Sequence, residues 1–515
     1  MADRFYLTTA IDYTNSAPHI GHAYEKVLGD VIARYHRLKG EEVFFLTGVD
    51  QHGQKVQQSA EKKGVPPAEF VRGVTQQFVA LWEKLDVRYD GWAETIGSRH
   101  KTSVQQILQR LFDEGQIYKA TQGGYYSVRQ EQFLTDKERG PDGEFGPEWG
   151  EVEYREEENY YFRLAQHKDW LLALLEHREE LIVPAFRRTE LRNAVEKLSG
   201  DLCISRPRSR LEWGIELPFD AGFVTYVWFD ALLNYVSFAP GGYDPAAENA
   251  EFHRWWPATI IIGKDILIPA HGIYWLIMLH AIGFSDEDMP RLLVHGWWNM
   301  AGAKMSKSLG NVIDPEQLAE LYSVEAVRYY LMSEIATGRD ADFNTERVVA
   351  RYNGDLANSL GNLLNRTLNM AHRYREGVVQ RRGGDSPLRA QAETAVASFT
   401  REMDQFQPHT ALAAVGEFAT ACNAYIDMTA PWKVAKDPER AETLDHILYA
   451  LVESMRIIAI LISPVLPKAA REILFQLNWR ETISLGEVEW GRMPDRHTVG
   501  KATPVFPRIE TSNAA

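Results

Sequence analysis

Apolar residues recur in two rhythms along this chain. Phe5 to Ala10 and Val43 to Thr47 are short, continuous, β-prone runs, and between them Ala23, Val27, Leu28, Val31, Ile32 and Tyr35 fall at helical spacing. Strand, helix and strand in that order predict a βαβ unit. Ala258 to Ile262 and Leu292 to His295 are further apolar runs of strand length, with a helix expected from about Ile266 to His280 between them. Amphipathic helices are expected over residues 66–86 and 101–115, leading to a third parallel strand near Ile117 and Tyr118. The second half of the sheet is expected to resume near Glu212 to Glu216 and continue through Val227 to Asp230. Together these elements predict a doubly wound parallel sheet, in which ligands bind outside the carboxyl ends of the strands where strand order reverses.

Two stretches break that rhythm. From Gly123 to about Gly200 the chain is rich in Gly, Glu and Tyr with short alternating runs, which predicts an inserted connective subdomain; Tyr125, Tyr126, Phe133, Phe145 and Trp149 are its expected core. After Asp314 and Pro315 the pattern is helical, with one stripe through Leu412, Val415, Phe418, Ala419, Cys422, Tyr425 and Ile426 and another through Leu444, Ile447, Leu448, Leu451, Val452, Met455 and Ile458. The expected organisation is an α/β, Rossmann-like catalytic domain in two halves (1–116 and 206–315), a connective insertion (117–205), a linker (316–345) and an all-α bundle (346–515).

Composition narrows the classes. A chain of 515 residues with 45% hydrophobic and 25% charged residues needs more than one core. The net charge of −15 argues against a protein that coats nucleic acid indiscriminately, although the arginines at 187, 188 and 192, or at 206, 208 and 210, suit phosphates as well as solvent. The two cysteines, Cys203 and Cys422, offer no disulfide framework and read as small buried residues. No basic region followed by an apolar stretch opens the chain, and the apolar helix around Ile447 to Leu466 is broken by Glu453, Ser454 and Arg456. A cytoplasmic protein is expected.

The chemistry lies at two turns. Ala17-Pro18-His19-Ile20-Gly21-His22 sits where the first strand has ended and the helix begins, so backbone N–H groups and the helix dipole face any anion there. His19 and His22 share one face of that first turn and suit phosphate oxygens, while Gly21 leaves room for a base or ribose. Such paired imidazoles also often merely cap or pack. Lys304-Met305-Ser306-Lys307-Ser308 places two ammonium groups in a Gly-flanked loop after the Leu292 strand, suited to a triphosphate, though a run of this kind is commonly a solvated loop.

Together, PHIGH and KMSKS resemble the two signatures of class I aminoacyl-tRNA synthetases. TTAIDYTN, LTGVDQHG, EENYYFRL, VWFDALLNY, IIGKDI and NGDLANSLGNLLNR resemble the methionyl-tRNA synthetase family over nearly the whole chain. The resemblance implies activation of methionine by ATP, with Mg²⁺ entering alongside ATP, and transfer to tRNA(Met). It implies that His19, His22, Lys304 and Lys307 serve the phosphates and that Gly21, Asp265 and Ser306 contribute to ATP binding. Methionine is then held by Ile11, Tyr13, Asp50, Trp228, Ala231, Tyr235 and His271, and the anticodon by Asn358, Arg366 and Trp432.

The sequence departs from the family at three points. Leu232 replaces a proline found in some members. KDILIPAHGIYW runs one residue longer than the commoner form. Ser127 and Gln130 stand where some members carry a first cysteine pair, and no second pair follows, so no structural zinc is expected. Synthetases for Val, Ile or Leu need an editing domain, because a missing methylene gives only on the order of 100-fold discrimination, and the insertion is too short for one. A catalytically silent tRNA-binding protein and a non-tRNA nucleotidyltransferase are the competing readings. The chain ends soon after the bundle, and a monomer is expected.

Overall fold

The computed structural model describes the chain apart from residues 1–2, 128–131, 135, 141, 301–302, 305–312, 383–384 and 511–515. Six strands make its central parallel sheet: β1 (Arg4–Thr9), β2 (Glu42–Asp50), β3 (Gly91–Glu94), β4 (Ile182–Val183), β5 (Thr259–Gly263) and β6 (Arg291–His295), in the order β3-β2-β1-β5-β6-β4. All five neighbouring pairs are parallel. Strand order reverses between β1 and β5, and a two-residue strand, Asp12–Tyr13, pairs with the end of β2 just beyond β1. The apolar runs form the central strands because parallel strands are covered on both faces: Leu7, Phe45, Ile260, Ile261, Leu292 and Leu293 are fully buried.

Two expectations about this sheet are corrected. The chain at Ile117 and Tyr118 is not a parallel strand; it opens Ile117–Ser127, which pairs antiparallel with Val152–Phe162 along its whole length. The third parallel strand is instead Gly91–Glu94, too short and too polar to stand out. Likewise Glu216–Leu217 and Asp220–Thr225 pair antiparallel, with Ser205–Pro207 completing a small separate sheet, and Val227–Ala231 is a short helix. Strands with a wet face alternate polar and apolar residues, which periodicity alone does not separate from a parallel edge.

Within the insertion, Tyr126 is buried beneath the guanidinium groups of Arg155 and Arg210. Tyr125 is 41% exposed and packs on Phe145 and Arg139 rather than forming core. Ser127 donates to the Trp149 carbonyl at 2.5 Å, while Gln130 lies outside the described residues. Arg206 is buried and Arg210 pairs with Glu157, so neither is solvated surface. Cys203 is only partly buried, whereas Cys422 is fully so.

The bundle contains helices Asn362–Arg375, Pro387–Asp404, Pro408–Thr429, Ala441–Ile462 and Pro467–Gln476. Both apolar stripes face its core. Glu453 and Arg456, buried in the fourth of these, pair with each other, and among the described residues no helix is long and apolar enough to cross a membrane. Among the side chains that tie the bundle to the helices on the sheet is the fully buried Arg328, in Val324–Glu334, which donates to Asp30 at 2.6 Å, to the Leu85 carbonyl at 3.0 Å and to the Pro464 and Val465 carbonyls at 3.1 and 2.9 Å.

Candidate active site

A cleft of about 660 Å³ opens over the carboxyl ends of β1, β2 and β5, where strand order reverses. His19, Gly21, His22 and Asp265 line it together with Ile11, Tyr13, Asp50, Trp228, Ala231, Tyr235 and His271. The chain thus brings eleven expected site residues into one concavity. Of the second motif, Lys304 is described only by its backbone, which pairs with Asn299 in a hairpin whose Trp298 lines the same cleft; Ser306 and Lys307 lie outside the described residues.

The first motif does two jobs at once. His19 is the N-cap of the Ile20–Leu38 helix: its Nδ1 accepts from the Gly21 N–H at 3.1 Å, while His22 Nδ1 accepts from the His19 N–H, also at 3.1 Å. This reciprocal capping box fills Nδ1 of both rings as an acceptor, which leaves the proton on each Nε2. Capping and anion binding are therefore compatible here. The room beside Gly21 is taken by the His19 ring itself, whose Cε1 would lie 2.9 Å from a Cβ at that position.

On the other flank, His271 sits in a segment, Leu267–Trp275, wound as a π-helix. That segment is interrupted by extended backbone at Ile268, and the histidine beyond the kink lines the pocket. Its Nδ1 donates to the Ile266 carbonyl at 2.9 Å, so its Nε2 accepts the Tyr235 hydroxyl at 2.7 Å. Burial pushes His271 down to about 4 and Tyr235 well above its ordinary value, which makes both neutral at pH 7. Trp228 lies edge-on to the same imidazole. A neutral, ring-lined slot of this kind suits an apolar, polarisable side chain.

Asp50 stands apart. It accepts only weakly, from the His52 N–H at 3.3 Å and the Thr95 hydroxyl at 3.5 Å. Burial and then the charge of Asp230 raise it well above the usual carboxylate range, so a cation is the partner this carboxylate wants. Gly53 holds the following turn at φ +105°, and a side chain there would strike the Tyr13 hydroxyl at 2.8 Å.

Sequence reasoning missed the charges beneath the phosphate turn. Lys26 Nζ, fully buried, donates to the Ala10 carbonyl at 2.7 Å, to Asp12 at 2.8 Å and to Glu25 at 2.7 Å. His295 Nε2 lies 3.0 Å from the other Glu25 oxygen. Burial works against ionising Glu25, but Lys26 and His295 together overcome it and hold Glu25 low. Asp12 shares Lys26, has a buried Oδ2 without a hydrogen-bond partner, and is pushed by burial up to about 7. A polar pair inside a helix whose other faces are apolar was the available signal; it reads as solvated surface until the helix is known to be buried all round. Among the described residues no three His, Cys, Asp or Glu side chains are grouped to hold a metal ion.

Of the expected anticodon residues, Asn358 is exposed in the π-helical stretch Tyr352–Gly361 and Arg366 lies on the helix that follows. Arg366 donates to Asp427 at 2.6 Å. Trp432, 41% exposed, lies in the short helix Pro431–Val434, which follows the helix carrying Asp427 and the exposed Met428.

The family model for class I tRNA synthetases (M) matches residues 5–142 and 149–368, and that for the anticodon-binding domain of tRNA ligases matches 385–496. The methionine–tRNA ligase of Deinococcus radiodurans is 40% identical over 98% of this chain and 74% of its own length. That of Lactococcus lactis is 38% identical over 98% of this chain and 78% of its own. Among solved structures, Mycobacterium tuberculosis methionyl-tRNA synthetase in complex with methionyl-adenylate superposes with a TM-score of 0.91 at 36% identity, covering 98% of this chain and all of that one. Matched at 38–40% identity over 98% of its length, and by a family model over more than half of it, the chain belongs to the methionine–tRNA ligase family of class I synthetases.

Proposed function

We propose that the chain activates methionine with ATP and esterifies it to the 3′-terminal adenosine of tRNA(Met). A carboxylate oxygen of methionine attacks the α-phosphorus and pyrophosphate leaves; a hydroxyl of the terminal ribose then attacks the carbonyl carbon and AMP leaves. Neither step needs a covalent protein nucleophile, so alignment and charge balance supply the catalysis. The Nε2–H groups of His19 and His22 hold phosphate oxygens, Lys304 and Lys307 neutralise the departing pyrophosphate, and Gly21, Asp265 and Ser306 border the nucleotide. Mg²⁺ arrives as part of the ATP substrate. Asp50 takes the methionine ammonium, while Ile11, Tyr13, Trp228, Ala231, Tyr235 and His271 enclose the thioether. Residues 1–116 and 206–315 act as the catalytic unit, to which the insertion lends β4.

The observation that carries this reading is the single cleft shared by the capped histidines and the neutral ring-lined slot. Exchange of pyrophosphate into ATP, run with each standard amino acid in turn, tests it. Exchange with methionine alone is expected; none with methionine, or a clear preference for another amino acid, sinks the proposal. In the bundle, Asn358, Arg366 and Trp432 read the anticodon. Trp432→Ala is expected to weaken tRNA by about 1–3 kcal/mol, measured as KM for tRNA in charging, and to leave exchange unchanged.

A further inference from the structure

Behind the amino-acid slot lies a charge that the reaction described above does not use. Asp230 belongs to Val227–Ala231, the short helix that carries Trp228 and Ala231, and its side chain is fully buried. Imidazoles from two other elements hold its two oxygens: His52 Nδ1 lies 2.7 Å from Oδ2 and His100 Nε2 lies 2.8 Å from Oδ1. His52 closely follows Asp50 at the end of β2. His100 belongs to the helix Ser98–Asp113, and its Nδ1 is 2.8 Å from the Ser237 hydroxyl. An ionised carboxylate survives burial only when bonded in this way. Burial alone would raise Asp230, yet the two rings hold it at about 2.

The contrast with Asp50 is chemical. Both carboxylates are buried, but the protein gives one two short imidazole partners and leaves the other with two long, weak donors. Around Asp50 the titratable and charged groups are Asp230, His52 and His100 on the buried side, and Tyr13 and Lys55 in the cleft. Without a ligand, Asp50 is therefore pressed towards its protonated form, and an arriving ammonium supplies the cation that is missing.

We propose that Asp230, clamped by His52 and His100, is a positioning residue for amino-acid selection: it pins the helix bearing Trp228 and Ala231, and its negative charge behind Asp50 makes the pocket favour an ammonium over a neutral group. This rests on reading the cleft as the methionine site. A ligand that keeps the thioether and carboxylate but carries a hydroxyl in place of the ammonium gains nothing from the second charge, so discrimination between the two measures what Asp230 does.

The test uses the full chain and Asp230→Asn, with exchange kinetics for methionine and inhibition by its α-hydroxy analogue, 2-hydroxy-4-(methylthio)butanoate. KM for methionine is expected to rise about tenfold, with KM for ATP unchanged and the analogue's inhibition constant raised by much less. Removing the like charge lets Asp50 ionise more easily, so the acid limb of kcat/KM for methionine moves to lower pH. Equal losses for both ligands with an unmoved limb overturn the proposal and leave Asp230 a packing residue. Should Asp230→Asn fail to fold, His100→Leu keeps the charge and removes half the clamp: a rise in both the KM for methionine and the analogue's inhibition constant supports the pinning, and no change in either overturns it. Absence of methionine-dependent exchange in the unmodified chain is a separate failure, that of the proposed function.

Discussion

On the amino-acid flank of the cleft, His271 and Tyr235 bury two polar groups as a neutral pair, the hydroxyl filling the one acceptor that the imidazole has left. Beneath the phosphate turn, Lys26 is buried as a charge between Glu25 and Asp12, with His295 on the other oxygen of Glu25. The neutral pair asks little of its surroundings, because losing one partner strands a single acceptor. The charged cluster hangs on one residue: Lys26 serves two carboxyl groups and a carbonyl, so its removal leaves Glu25 as a buried charge without its cation. Each arrangement suits its side. A thioether needs a wall without charge, whereas a turn that faces phosphates needs a scaffold whose position does not yield.

The largest effect expected from breaking this comparison is on the charged side. Lys26→Met leaves Glu25 and Asp12 buried without their cation and should lower unfolding stability by about 3–5 kcal/mol, read from urea denaturation. The pH dependence of stability sharpens the contrast. His271 titrates near 4 in the fold against an ordinary 6.5, so the unfolded chain takes up its proton first and stability falls as pH drops through that window. Asp12 keeps its proton up to about 7 against an ordinary 3.8, so the unfolded chain loses its proton first and stability falls as pH rises through that window. The two flanks therefore oppose each other between pH 4 and 6.5. His271→Gln should make stability fall more steeply with rising pH, Asp12→Asn should make it rise more steeply, and each slope change amounts to on the order of 3 kcal/mol across the window. Parallel slopes in the two variants would show that the flanks do not differ in this way. The smallest effect is Tyr235→Phe, which strands His271 Nε2 for about 1–3 kcal/mol, seen as a higher KM for methionine with KM for ATP unchanged.

What was legible in the sequence follows the same division. The βαβ unit, β5 and β6 were readable because fully buried parallel strands are continuous apolar runs, and the two-residue β4 was not. The capped histidines and the aromatic wall were readable because each is local, or belongs to a motif with a family resemblance. The Lys26 cluster and the Asp230 clamp were not, since each joins residues far apart in the chain: Glu25 meets His295, and His52 meets Asp230. Nothing local in Glu25-Lys26 or in His100 distinguishes a buried partner from a solvated one; only the packing of every face of the Ile20–Leu38 helix does. The antiparallel stretch from Ile117 was misplaced for a related reason, because its partner strand lies beyond a Gly-rich connection that carries no periodic signal.

Arg328 sets a final constraint. Its guanidinium joins the helix behind the phosphate turn, the turn after Leu85 and the Pro464–Val465 corner of the bundle, all within 3.1 Å. A hinge at that junction would have to strip several hydrogen bonds from one cation in a dry interior, so the bundle and the helix behind the phosphate turn are held at a spacing set by the protein itself.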